Sequence, residues 1–404
     1  MNENENLVPK RRFKEFKNTG TWEQRKLGEV VNFLNGRAYK QQELLESGKY
    51  RVLRVGNFNT NDKWYYSDLE LEENKYANSG DLLYLWATNF GPEIWDEEKV
   101  IYHYHIWKLD VHSSEVDKQY LYTWLITDKE KIKQTTNGTT MVHVTKGNME
   151  QREFQLPISI KEQKKIGSFF KQLDNTIALH QRKLTLLKQL KQTYLQALFP
   201  QSELNIPTLR FARFSDSWEH RKVSSLAKET FGGGTPKTGV KKYWKGSFPW
   251  IQSSDLTTNQ LHNVQPTKFI TEEAIKQSAT HNVPGNSIAI VTRVGVGKLA
   301  LMRSSYSTSQ DFLSLSNLNV DAVFGVYCLY KMLQREVNNI QGTSIKGITK
   351  ADLLGKCVSV PTKVEEQVKI GAFFKKIDDT IDFHESKLKH ILELKKAFLE
   401  KMFL

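Results

Sequence analysis

Apolar residues recur at alternating intervals of three and four through two stretches of the chain. In the first they are Phe170, Leu173, Ile177, His180, Leu184, Leu187, Lys191, Tyr194 and Leu198, with one histidine and one lysine in the series. In the second they are Phe374, Ile377, Ile381, His384, Leu388, Ile391, Lys395, Phe398 and Met402. A seam held over about four heptads predicts a long helix packed along another helix. Pro157 and Pro361 precede the seams, and Pro200 closes the first. The two stretches are copies. Residues 157–199 and 361–403 align without a gap at a constant offset of 204, sharing Glu162/Glu366, Gln163/Gln367, Gly167/Gly371, Phe170/Phe374 and Asp174/Asp378. Because the chain returns to begin its second half, antiparallel pairing of the two helices is the simplest way to cover both seams. His180 and His384 sit at matched seam positions. They read as hydrogen-bonded breaks that set the register, with a metal site across the helices as the sharper alternative.

The stretches before the helices are mixed. Period-two alternation predicts strands over residues 50–55, 81–86, 100–109, 248–252 and 287–292. Helical spacing appears over 120–133 and 325–338, with Gly and Asn marking turns. These globular parts hardly resemble each other, yet each opens alike. Arg12-Phe13 leads to Trp22-Glu23, and Arg210-Phe211 leads to Trp218-Glu219. The unit of repetition is therefore a whole domain followed by a helix. The expected boundaries are 1–156, 157–200, 201–360 and 361–404. Similar helices with dissimilar domains imply one kind of partner met twice and two targets read once each.

Charge narrows the partner. The chain has 404 residues, with 58 Lys plus Arg against 45 Asp plus Glu, for a net charge of +13. That excess favours a polyanion, nucleic acid before an acidic membrane. No apolar run reaches the length of a membrane helix, and residues 1–12 lack the apolar core of a signal peptide. The two cysteines form no disulfide framework. The expectation is a soluble, cytoplasmic protein.

Enzyme motifs are weak. Gly297-Lys298 is followed by Leu299 rather than Ser or Thr, so no phosphate loop is present. Residues 295–300 fit G-x-G-x-x-A, but the residues after them, LMRSSYSTSQ, open a helix poorly. His103 and His105, two apart in an alternating run, would share one face of a strand. That face reads as exposed or target-facing before it reads as a metal site. Binding signals are richer. A glycine-rich stretch with Gly233, Thr235 and Lys237 offers flexible backbone and cations to a phosphate, and Arg37, Tyr39 and Lys40 hold a similar place in the first half. Polar side chains suited to base edges lie at Thr88, Asn89, Ser253, Ser254, Arg293 and Gln310. Asn57, Thr139, Lys146, Lys298, Thr343, Lys346 and Lys350 complete the candidate DNA-contacting set.

The order of these features resembles the specificity subunit of type I restriction-modification enzymes. The resemblance spans essentially the whole chain. It is carried by Trp22-Glu23 and Trp218-Glu219, by residues 80–83 running into 86–95, by residues 249–256, and above all by the twin helices. It implies an α+β chain of two globular mixed α/β target recognition domains, separated by two long conserved helices that form an antiparallel coiled coil. It implies a bipartite double-stranded DNA site, two methyltransferase subunits docked on the helices, and restriction subunits present or absent. The helices would set the unread gap. No catalytic residue and no cofactor would belong to this chain, since S-adenosylmethionine, ATP and Mg act through the partner subunits. A nuclease with an unfamiliar site and a scaffold that binds no DNA are the competing readings.

Overall fold

In a computed structural model the chain forms two compact units. One holds the residues up to Gln181 and those from Lys387 onward; the other is Arg182–Ser386. The structure describes residues 7–58, 61–87, 90–135, 144–201, 205–339 and 347–403.

The first half runs β1 (Glu23–Lys26), β2 (Val31–Asn35), β3 (Tyr50–Leu53), β4 (Tyr65–Ser67), β5 (Tyr76–Ala77), β6 (Leu82–Leu85), β7 (Gly91–Ile94), β8 (Val100–Tyr102), β9 (Ile106–Val111), α1 (Lys118–Thr135), α2 (Lys146–Glu150), β10 (Glu153–Leu156) and α3 (Ile160–Ala197). The second runs β11 (Glu219–Lys222), β12 (Ala227–Gly232), β13 (Phe248–Ile251), β14 (Lys268–Ile270), α4 (Glu272–Lys276), β15 (Ser287–Val291), β16 (Leu299–Met302), β17 (Ser307–Thr308), β18 (Phe312–Leu318), α5 (Ala322–Asn339), α6 (Lys350–Gly355), β19 (Cys357–Val360) and α7 (Val364–Met402). The expected strands and helices are there, with one correction. The run 100–109 is two strands, β8 and β9, broken by a turn at residues 103–105.

Despite their sequences, the two domains share one topology. A sheet in the order β2-β9-β6-β7 matches one in the order β12-β18-β15-β16. A second sheet, with β3 parallel to β8, matches one with β13 parallel to β17. Both β6 (LLYL) and β15 (SIAIV) are buried along their whole length, as strands covered on both faces must be.

Several residues common to the two halves have internal work. Arg12 pairs with Glu162 through Nε–Oε1 at 2.6 Å and Nη2–Oε2 at 2.7 Å. Arg210 pairs with Glu366 identically, at 2.7 and 2.8 Å. Gln163 donates to Pro157 O and accepts from Asp117 N; Gln367 does the same to Pro361 O and from Asp321 N. A Cβ on Gly167 would lie 2.8 Å from Tyr120 N, and one on Gly371 2.8 Å from Phe324 N. Each set pins the start of a long helix to its own domain.

The helices pair antiparallel within each unit. In the first unit Phe169 meets Phe398 at 5.1 Å between ring centroids, and Lys395 binds Asp174. In the second, Lys188 meets Glu385 at 2.7 Å, Lys191 meets Asp378 at 2.6 Å, and Tyr194 meets Phe373 at 4.9 Å. The ends cross over. Phe403 enters the first domain's core, against Trp22, Tyr120 and Phe170. Phe199 enters the second, against Trp218, Phe324 and Phe374. Each domain is thus completed by the C-terminal end of the helix that follows the other. No helix among the described residues is long and apolar enough to cross a membrane.

The second unit buries a polar relay beside its helix pair. Tyr327 Oη donates to Asp378 Oδ2 (2.7 Å), so His262 Nε2, at 3.1 Å from that hydroxyl, must carry a proton and donate to it. Burial, with Lys375, Arg303 and Lys191 nearby and only Asp379 opposing, pushes the His262 pKa down to about 4 from its usual 6.5. The unfolded chain therefore takes up the proton first. Stability from this group is complete above pH 6.5 and is lost as the pH falls toward 4, by up to about 3 kcal/mol. Protection of α5 amides from hydrogen exchange, taken relative to the intrinsic exchange rate at each pH, should fall between pH 7 and pH 4.5, and His262→Gln should flatten that slope. An unchanged slope would mean other groups set it.

Candidate nucleic-acid interface

Several of the residues expected to touch DNA lie beside a three-residue turn in each domain, Arg37 and Tyr39 in the first and Gly233, Thr235 and Gln310 in the second. In the first domain the turn 103–105 joins β8 to β9. His103 N donates to Leu53 O (2.9 Å), Ile106 N to His103 O (3.0 Å), and Trp86 N to His105 O (3.2 Å). The chain leaving β2 crosses it: Gly36 N donates to Ile106 O and Arg37 N to Tyr102 O. A Cβ on Gly36 would overlap the carbonyl of His103.

The second domain repeats this frame. The turn 309–311 joins β17 to β18. Ser309 N donates to Ile251 O (2.9 Å), Phe312 N to Ser309 O (3.3 Å), and Thr292 N to Asp311 O (2.7 Å). Gly233 N donates to Phe312 O and Gly234 N to Thr308 O, and a Cβ on Gly233 would overlap the carbonyl of Ser309. Backbone packing therefore requires glycine at 233.

Around the second turn the structure collects most of its candidates. Thr235 Oγ1 donates to Gln310 Oε1. Lys298 Nζ is held by Ser253 O at 3.1 Å. Arg293, next to Thr292, is exposed, and its guanidinium makes no hydrogen bond or ion pair among the described residues. Lys350 is exposed with its ammonium against Gly232, while Lys237 and Ser254 are exposed nearby in sequence. The G-x-G-x-x-A match is a turn, with Gly295 and Gly297 at φ of +94° and +98°, and it leads into strand β16 rather than a helix. That removes the dinucleotide-fold reading.

In the first domain several candidates have other duties. Arg37 is clamped by both oxygens of Glu43, at 2.7 and 3.1 Å, so its charge is already matched. Asn57 ties its own loop, accepting from Arg54 N and donating to Asn61 O and Lys63 O. Lys146 reaches Phe33 O at 3.0 Å. Those three side chains have partners within their own domain. Tyr39 stacks on His103, and Lys40 is exposed. Thr88, Asn89, Thr139, Thr343 and Lys346 lie outside the described residues.

What the first turn presents instead is aromatic. Tyr104 lies with its ring centroid 4.3 Å from His103, 4.0 Å from His105 and 6.0 Å from Trp86. Burial, with His105 and Arg54 adding positive charge, pushes the His103 pKa down to about 4. At neutral pH its ring is uncharged, a hydrogen-bonding group rather than a phosphate-binding cation. The sequence flagged these histidines but set them on a strand face.

Two domains of one fold, each with a different polar end, on a pair of duplicated helices, define a duplicated recognition scaffold. The chain belongs to the family described as the type I restriction modification DNA specificity domain, whose family model matches residues 19–189 and 215–393. It is 22% identical over 395 residues to the MjaVIII specificity subunit of Methanocaldococcus jannaschii, covering 94% of this chain and 91% of that one. It is 30% identical over 182 residues to the MjaIX specificity subunit of the same organism, an alignment spanning 44% of this chain and 41% of its relative. Its fold matches the crystal structure of the type I S subunit from M. genitalium, with a TM-score of 0.69 at 14% identity over 98% of this chain and 99% of that one.

Proposed function

We propose that this chain is the sequence-specific DNA-binding subunit of a type I restriction-modification complex. Each domain reads one half of a bipartite double-stranded site, and the helices set the unread gap. The observation that carries this reading is the pair of matching turn frames bearing different side chains: one scaffold used twice, for two sequences. Catalysis, with S-adenosylmethionine, ATP and Mg, falls to partner subunits. Two methyltransferase subunits dock on the helices, with or without restriction subunits. Exposed apolar residues at matched positions support two like docking faces: Leu179 and Phe383 are 52% and 54% exposed, and Leu190 and Leu394 are 43% and 37%.

The test is to co-express the chain with the methyltransferase subunit encoded beside it and map methylated adenines on host DNA. A split motif that disappears when this chain is omitted is the expected result; methylation without a split motif overturns the reading. In the same assay Arg293→Ala should cost about 1–3 kcal/mol at the second domain's half-site, relaxing it and leaving the first intact. Equal loss at both half-sites would instead indicate misfolding.

A further inference from the structure

Resting on the proposed function, we propose that the three-residue turns at 103–105 and 309–311 are interchangeable specificity elements, each fixing base choice within its half-site. Five backbone hydrogen bonds recur around both, and the first turn adds one, Tyr104 N to Arg37 O at 3.0 Å. The first residue of each turn donates to the strand beside it, Leu53 O or Ile251 O, and accepts from the residue just past the turn, Ile106 N or Phe312 N. The last accepts from the end of the central strand, Trp86 N or Thr292 N. A glycine, Gly36 or Gly233, stands where a side chain would strike the first carbonyl. The first side chain of each turn also accepts from the backbone of the last, His103 Nδ1 from His105 N and Ser309 Oγ from Asp311 N, and the side chains differ at every place: His103, Tyr104 and His105 against Ser309, Gln310 and Asp311.

The middle residue projects furthest. Tyr104 is 40% exposed, and its hydroxyl makes no hydrogen bond among the described residues. Gln310 is exposed as well. Its Oε1 is occupied by Thr235, which leaves the amide nitrogen to donate to an acceptor on a base edge. Tyr104 brings a hydroxyl that can donate or accept, held by the rings of His103, His105 and Trp86. These are different readers on one mount, and a fixed backbone means that exchanging the reader leaves the domain intact.

The experiment uses the complex of this chain with its methyltransferase subunit and a duplex DNA library randomised across both half-sites. Tyr104→Gln should shift base preference at one position of the first half-site by about tenfold or more, with the second half-site unchanged. Gln310→Tyr should do the converse. Unaltered selection by both variants, or changes in both half-sites from either one, overturns the proposal. Should Tyr104→Gln fail to assemble, Tyr104→Phe decides, because it keeps the ring and its packing and removes only the hydroxyl. Lost selectivity at one first-half position then supports the assignment, and unchanged selection overturns it. Failure of the unaltered complex to select any split site would overturn the proposed function itself, a result independent of the turns.

Discussion

Phe403→Ala is expected to destabilise the first domain by about 3–5 kcal/mol while leaving the second as it was. Phe403 is 7% exposed, and its ring lies 5.6 Å from Tyr120, 5.8 Å from Phe170 and 6.4 Å from Trp22. Truncation would leave a cavity among rigid aromatic rings that cannot collapse into it, so the cost sits in the upper part of the range for buried side chains. Phe199→Ala should show the mirror image. Phe199 is 3% exposed, 5.6 Å from Phe324 and 5.9 Å from both Trp218 and Phe374. Hydrogen exchange resolved by segment distinguishes the cases. Faster exchange in α1 for the first variant and in α5 for the second is the expected pattern. Loss confined to the helix that carries the substitution would show that the aromatic plugs do not hold the domains.

Arg12→Ala should cost a similar amount by a different route. Its partner Glu162 has a side chain with no solvent exposure, and Arg12 itself is 6% exposed. Removing the guanidinium leaves a buried carboxylate unmatched, which costs about 3–5 kcal/mol. Arg210→Ala strands Glu366, 1% exposed, in the same way. The visible consequence is release of the opening segment from the start of α3, read as faster proteolytic cleavage near residues 17–20. Replacing both partners by methionine should cost far less than either single change, because no charge is then left buried. A double variant as unstable as the single one would assign the effect to lost packing instead.

The helices were legible because a heptad pattern is redundant. It is written over many residues, and a few polar exceptions such as Lys191 do not erase it. Lys191 also shows what the pattern cannot convey. It lies on the seam because Asp378 meets it there at 2.6 Å, under Tyr327 and Tyr330. The common fold of the two domains was not legible. A core asks only for apolar side chains of fitting volume, and the frame around each turn is backbone hydrogen bonding, which almost any sequence can supply. Gly36 and Gly233 are its one clear trace in sequence, since a Cβ at either would strike a carbonyl. The turn at 103–105 leaves no trace in the sequence pattern for the same reason. Alternation continues through VIYHYHIWKL, and the bonds that bend it come from residues 37, 53 and 86, far off along the chain. Residue type alone does not say where a side chain's partners lie: Glu43 bonds Arg37 and Lys63 O bonds Asn57, six residues on in each case.

The crossing of the helix ends also bears on how the protein is made. Synthesis runs from the N-terminus, and at about 5–20 residues per second a ribosome needs roughly 10–40 s to travel from the end of the first domain's own helix segment to the codon for Phe403. Throughout that interval the notch between Trp22, Tyr120 and Phe170 has no occupant from its own chain. The second domain has no such delay, since Phe199 emerges before it. The domain translated first is therefore the last to close, and a growing chain carries an open aromatic notch that chaperones, or Phe403 of another nascent copy, can reach before its own does.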